Sequence, residues 1–221
     1  MHTHYLSVPR TARYHALGPS DGGAREVWVV CHGYGQLAAQ FLEGFRPLDD
    51  GTRLVVAPEA LSRFYLDDQP GTIHTDSRVG ATWMTREDRE HEIADYVRYL
   101  DTLHDELLRS VERDRVRLVA LGFSQGVATV TRWATLGTAR PDRLVLWAGS
   151  LPQDLDEDAA RRALGRLRVT LVVGSRDRFA TPEVVGRQQE WLRERGIPFE
   201  HVSYDGGHRI DGATLARLAG G

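Results

Sequence analysis

Apolar residues along this chain gather into short, nearly unbroken runs set between longer stretches of mixed polarity. Val27–Val30, Leu54–Ala57, Leu118–Leu121, Leu144–Trp147 and Val169–Val173 are such runs, each bounded by charges or turn residues. Runs of this length predict strands buried on both faces. Phe199–Tyr204 instead alternates, which predicts a last, half-buried strand. Residues 5–17 read as two short strands around Pro9, forming an antiparallel edge.

Helical spacing fills the intervals. Ile93, Tyr96, Val97, Leu100, Leu103 and Leu107 make one apolar stripe on a long helix, for which Thr85 is the expected cap, with Glu87 and Asp88 in its first turn. Further helices are expected over Gln36–Phe45, behind Gly126 (Val127, Ala128, Val130, Ala134), near Asp158–Leu167, from Thr181-Pro182-Glu183, and over Asp211–Leu218. Pro58–Met84 has no clean period, yet carries Phe64, Tyr65, Ile73, Trp83 and Met84, and reads as a packed loop. Strands alternating with helices imply an α/β fold, a mostly parallel sheet covered by helices on both faces. No repeat or linker breaks the pattern, so residues 1–221 read as a single domain.

Composition narrows the function more by exclusion than by indication. A chain of 221 residues buries about 70% of the surface its unfolded form exposes. Its net charge of −3 gives no footprint for nucleic acid. All 28 basic residues are arginine, scattered as a solvated surface. No run approaches a membrane span, and no leader peptide is apparent, so a cytoplasmic protein is expected. The lone cysteine, Cys31, ends an apolar strand and reads as a buried small residue. The histidines lack metal-ligand spacing, and neither metal nor cofactor is expected. The sequence leaves self-association open.

The chemistry is concentrated at Gly122-Phe123-Ser124-Gln125-Gly126, where a buried strand runs straight into a helix. Glycine-x-serine-x-glycine in that setting is a nucleophile elbow, which lifts a serine hydroxyl out of the sheet. Serine needs a base to take its proton, and the base needs a carboxylate to orient it. Downstream of Ser124 only His201 and His208 are available. His201 lies within the last strand's alternation; His208 follows Gly206-Gly207 on a pliable loop and is the stronger candidate. Asp177 stands just past the strand Val169–Val173, where an acid is required, with Asp205 as its rival. Asp154, Asp156 and Asp158 read as a solvated run entering a helix. Attack also creates an oxyanion, for which the backbone N–H groups of Gln125 and of Tyr34, in His32-Gly33-Tyr34-Gly35, are the expected donors.

In this order the motifs resemble those of the phospholipase/carboxylesterase family of α/β hydrolases, the group that contains acyl-protein thioesterases. The resemblance rests on His32-Gly33-x-Gly35, the Gly-Phe-Ser-Gln-Gly elbow, the step from Gly174 to Asp177, and Gly207-His208. It implies the α/β-hydrolase fold and a small-molecule ester substrate, cleaved through an acyl-enzyme, with thioesters or lysophospholipids as alternatives. The connection Gly149 to Arg168 is short, so no separate cap domain and an open site are expected. Phe64, Tyr65, Trp83 and Met84, with Phe179 beyond the acid, are the candidates to line a substrate pocket.

Overall fold

In this computed structural model, which describes residues 1–19, 22–67, 77–109 and 115–220, the apolar runs become the middle of one sheet. The first half of the chain forms β1 (Tyr14–Leu17), β2 (Glu26–Cys31), α1 (Ala38–Leu42) with a following 3-10 turn (Glu43–Leu48), β3 (Arg53–Pro58), β4 (Ser62–Tyr65), β5 (Val79–Thr82) and α2 (Arg89–Leu108). The second half forms β6 (Arg117–Phe123), α3 (Gln125–Leu136), β7 (Arg143–Trp147), α4 (Glu157–Leu164), β8 (Arg168–Gly174), α5 (Pro182–Glu194), β9 (Phe199–Tyr204) and α6 (Gly212–Ala219). The sheet order is β1-β3-β2-β6-β7-β8-β9, with β1 antiparallel to β3 and the other neighbours parallel.

Because successive strand residues point to opposite faces, each run feeds two cores. Trp28, Val30, Leu121 and Trp147 pack against Phe41, Phe45, Leu215 and Leu218 on the face of α1 and α6. Val29, Leu118, Ala120 and Leu146 pack against Tyr96, Leu100, Val130, Trp133 and Leu164 on the face of α2, α3 and α4. Truncating a fully buried leucine such as Leu100 to alanine should cost about 2–5 kcal/mol.

Several expectations need correction. Of the two strands expected in residues 5–17, only β1 forms, because only Tyr14–Leu17 has the free edge of β3 to pair with. Thr85 does not cap α2. Its hydroxyl accepts from Glu87 N–H and its own amide donates to Glu92, so the helix begins at Arg89, after Asp88 at φ 49°. The Gln36–Phe45 helix is a single short turn that tightens to 3-10 at Glu43, before Pro47.

Pro58–Met84 is not all loop: β4 and β5 pair antiparallel, Phe64 opposite Gly80. Ile73 lies outside the described residues. The segment is anchored at its start by Glu59, whose buried carboxylate receives Arg13 and Arg63. Nor are all arginines solvated. Arg132 and Arg143 are buried, and Asp154, expected in solvent, pairs with Arg132 and Arg89. Asp156 caps α4 through Ala159 N–H. No described helix is long and apolar enough to cross a membrane. Between β7 and β8, α4 is the regular element present.

Candidate active site

β6 ends at Phe123 and α3 begins at Gln125, which leaves Ser124 to turn the chain by itself. It does so at φ 54° and ψ −116°. Such a conformation costs a non-glycine residue on the order of 1–3 kcal/mol and persists only where the surroundings hold it. Here Ser124 N–H donates to Trp147 O at 2.9 Å, and Val127 N–H donates to Ser124 O at 3.0 Å. The flanking glycines are packing requirements. A Cβ on Gly122 would stand 2.2 Å from Gly126 O, and one on Gly126 would stand 2.1 Å from Cys31 O.

The acid and the histidine come from just past the ends of β8 and β9, beyond the intervening β7. Asp177 Oδ2 accepts from His208 Nδ1 at 2.8 Å, and Oδ1 accepts from the amides of Phe179 (2.8 Å) and Ala180 (3.0 Å). Burial alone would raise this carboxyl's pKa, but the two amides and His208 together outweigh it and hold it below the usual carboxylate range. An ionised carboxylate can only accept, so Nδ1 carries a proton, and in the neutral ring this is the tautomer that leaves the lone pair on Nε2. The rings of Phe123 and Phe179 flank the imidazole at 4.7 and 4.8 Å. Asp205 turns away to Arg176 and Ser175, and His201 is an exposed residue of β9 opposite Leu171.

Two residues that the sequence reading passed over hold the histidine loop. The Tyr204 hydroxyl lies 2.8 Å from Gly207 O and 2.5 Å from Arg209 O, and Trp147 Nε1 donates to Arg209 O at 3.0 Å. Nothing in the spacing announces them, since their partners are carbonyls.

The turn after β2 brings the other elements close. A Cβ on Gly33 would lie 3.1 Å from Ser124 Cβ, so this turn touches the elbow. Gln36 Oε1 occupies the Gly33 amide at 2.8 Å, while the amides of Tyr34 and Gln125 have no acceptor among the described residues. His32 takes no part as a base. Ala60 N–H donates to its Nε2 at 3.1 Å, its Nδ1 meets Gly33 O at 2.8 Å, and burial pushes its pKa below the usual histidine value. Cys31 is likewise buried, which pushes its thiol far up.

The residues expected to line a pocket divide into two groups. Phe64 packs on Tyr34 at 5.1 Å, Tyr65 and Leu66 are exposed beside it, and Phe179 is exposed over His208. Trp83 belongs elsewhere: it is buried between His32 and Tyr96, and its Nε1 donates to His32 O at 2.9 Å. Met84 is half-buried with its sulfur 3.5 Å from Arg132. These two brace the structure instead of forming the rim. Among the described residues no hydrogen bond joins Ser124 to His208, and no cluster is placed to hold a metal ion. Catalytic hydrogen bonds are often long before substrate binds and tighten only in the complex.

No protein-family model matches the chain, and no curated protein matches it in sequence. Solved structures do match. Acyl-protein thioesterase 2 of Zea mays is similar at 18% identity and a TM-score of 0.69, over 95% of this chain and 99% of that one. A carboxylesterase of Mesorhizobium loti is similar at 19% and 0.69, over 95% of each chain. A phospholipase/carboxylesterase of Dyadobacter fermentans is similar at 16% and 0.67, over 96% of each. The sheet order, the turn at Ser124 and these likenesses converge on the architecture alone: the chain has the α/β-hydrolase fold.

Proposed function

We propose that the protein is a serine hydrolase of carboxylic esters, of the phospholipase/carboxylesterase kind. Ser124 attacks the ester carbonyl while His208 Nε2 takes its proton. Asp177 keeps the imidazole in the tautomer that leaves Nε2 basic, and stabilises the imidazolium that forms. The Gln125 and Tyr34 amides receive the oxyanion, collapse expels the alcohol, and water then releases the acid by the same steps. The observation that carries this reading is the His208–Asp177 pair, just past the ends of β8 and β9, in the same sheet as a serine held at positive φ after β6.

A short- to medium-chain acyl group is the substrate class we favour. Phe64, Tyr65, Leu66 and Phe179 offer apolar surface at the rim, and each buried methylene contributes about 0.8 kcal/mol. Thioesters and lysophospholipids present the same carbonyl and are the nearest alternatives.

A second reading, a scaffold that binds esters without cleaving them, has one observation in its favour, the absent Ser124–His208 hydrogen bond. A fluorophosphonate probe separates the two, because only an activated serine reacts. Labelling that is lost in Ser124→Ala supports the hydrolase. A folded wild-type protein that neither labels nor cleaves a nitrophenyl ester supports the scaffold.

A further inference from the structure

We propose that the Gln125 side chain and the Trp83 indole are positioning residues that register the two oxyanion donors against each other. The inference rests on the hydrolase reading above and extends it. One donor, the Gln125 amide, opens α3. The other, the Tyr34 amide, sits on the turn after β2, far away in sequence. A tetrahedral oxyanion needs both within about 2.7–3.1 Å of one point. Something must therefore set their separation.

The hydrogen bonds trace a continuous connection between them. Gln125 Nε2 donates to Met84 O and to Thr82 Oγ1, both at 2.9 Å, and Oε1 accepts from Trp83 N–H at 3.1 Å. The Thr82 hydroxyl has Met84 O (2.9 Å) and Gln125 Oε1 (3.2 Å) within donating distance. Trp83 then continues the path, its Nε1 donating to His32 O at 2.9 Å, two residues before Tyr34. Its ring lies 5.2 Å from the His32 ring and 6.2 Å from Tyr96, so it is wedged in place and buried. A last contact closes the loop at the backbone: Gly126 lies so close to Cys31 and His32 that a Cβ would strike both carbonyls.

The polarity of this bracket calls for a carboxamide, and its reach for the longer one. Trp83 N–H can only donate and Met84 O can only accept, so position 125 must offer an acceptor and a donor on one planar group. Glutamine does. Glutamate has the same shape but would turn an oxygen toward Met84 O. Phenylalanine at 83 would keep most of the ring and lose the N–H that reaches His32.

The test uses Gln125→Glu, Gln125→Ala and Trp83→Phe in the full chain, with active sites counted by fluorophosphonate titration. Displacing a donor should cost less than the roughly 10²–10³ of deleting one, so kcat per titrated site should fall about 10- to 100-fold. KM should stay within about two-fold, and affinity for an alkyl boronic acid, which forms a tetrahedral adduct on serine, should fall in parallel with kcat. The Gln125→Glu/Trp83→Phe double variant should lose less than the product of the single losses, because both break one connection. In Gln125→Ala and Trp83→Phe, which add no charge, the pH profile of kcat should keep its shape, since Asp177 and His208 are untouched. If kcat per titrated site stays within two-fold of wild type in every folded variant, and only thermal stability drops, the bracket is structural and the inference fails. If wild type takes no probe, the hydrolase reading fails and takes the inference with it.

Discussion

Around His208 tightly packed backbone carries an acid–base pair, whereas around Tyr34 and Phe64 backbone packed just as tightly, with a Cβ on Gly80 standing 2.5 Å from Gly35 O, carries rings at the solvent boundary. A Cβ on Gly174 would stand 2.4 Å from Gly206 O and 2.7 Å from Gly207 O, and Arg176 N–H donates to Gly206 O at 2.8 Å. The two loops that carry Asp177 and His208 are thus zipped together with no room for adjustment. On the other side, Tyr34 is 60% exposed and touches Phe64, while Phe179, 73% exposed, is the one open ring beside His208 itself. The acid–base side suits proton transfer, which needs fixed distances, and the ring-lined side suits a variable acyl group. This difference teaches that rate and selectivity should respond to separate substitutions.

The strongest way to break the comparison is at the elbow. Ser124→Ala should lower turnover of an activated ester by roughly 10⁴–10⁶-fold with the fold intact. Near-normal turnover by pure, folded variant would remove the serine mechanism altogether. Next comes the acid: Asp177→Asn should cost on the order of 10³–10⁴ in kcat, and Asp205→Asn far less. A reversed order would mean that the wrong carboxylate has been assigned. Asp177 also predicts a pH effect. Its folded pKa is depressed, so the stability it contributes is complete above the ordinary carboxylate value and is lost as pH falls through the depressed one. Urea midpoints measured down the acid limb should therefore fall less steeply for Asp177→Asn than for wild type.

Smaller effects sharpen the contrast. Gly174→Ala forces the two loops apart and should destabilise by roughly 1–3 kcal/mol, seen as a lower Tm together with reduced kcat. An alanine variant with unchanged Tm and rate would show that the zipped loops have slack. Smallest is the rim: Phe179→Ala should leave Tm nearly unchanged and alter kcat/KM several-fold, more for butyryl or hexanoyl esters than for acetyl. A loss equal for all chain lengths would assign that ring to His208 alone.

How much of this was legible in the chain follows from what each residue packs against. Unbroken runs such as Val27–Val30 announce strands because both of their faces are buried, and this located β2, β3, β6, β7 and β8. The placement of Asp177 and His208 side by side follows from their positions just past β8 and β9. β4 is four residues with one exposed face, and β5 is buried but built of Gly80, Ala81 and Thr82, too small to make an apolar run, which is why both read as loop. Trp83 misled because a large aromatic in an irregular segment has no period, and its partner, His32 O, is a backbone atom distant in sequence. The Gln125 side chain was hidden for a related reason. Its neighbours drew attention to its amide, while its own bonds run to Thr82, Trp83 and Met84.

The last helix has a consequence for how the protein is made. Arg143, buried under the sheet, donates to Leu218 O at 2.6 Å, and Arg53 donates to Ala219 O at 2.6 Å. Both guanidiniums thereby cap the carbonyl end of α6, where a positive charge is favoured. Until those carbonyls arrive, a growing chain carries on β7 a cation whose other acceptor is the Thr170 hydroxyl, at 3.3 Å. Nascent chains that stop short of α6 should therefore fold less stably than chains that include it, although Ser124, Asp177 and His208 are already present. Protection of stalled chains from protease should rise as α6 clears the exit tunnel.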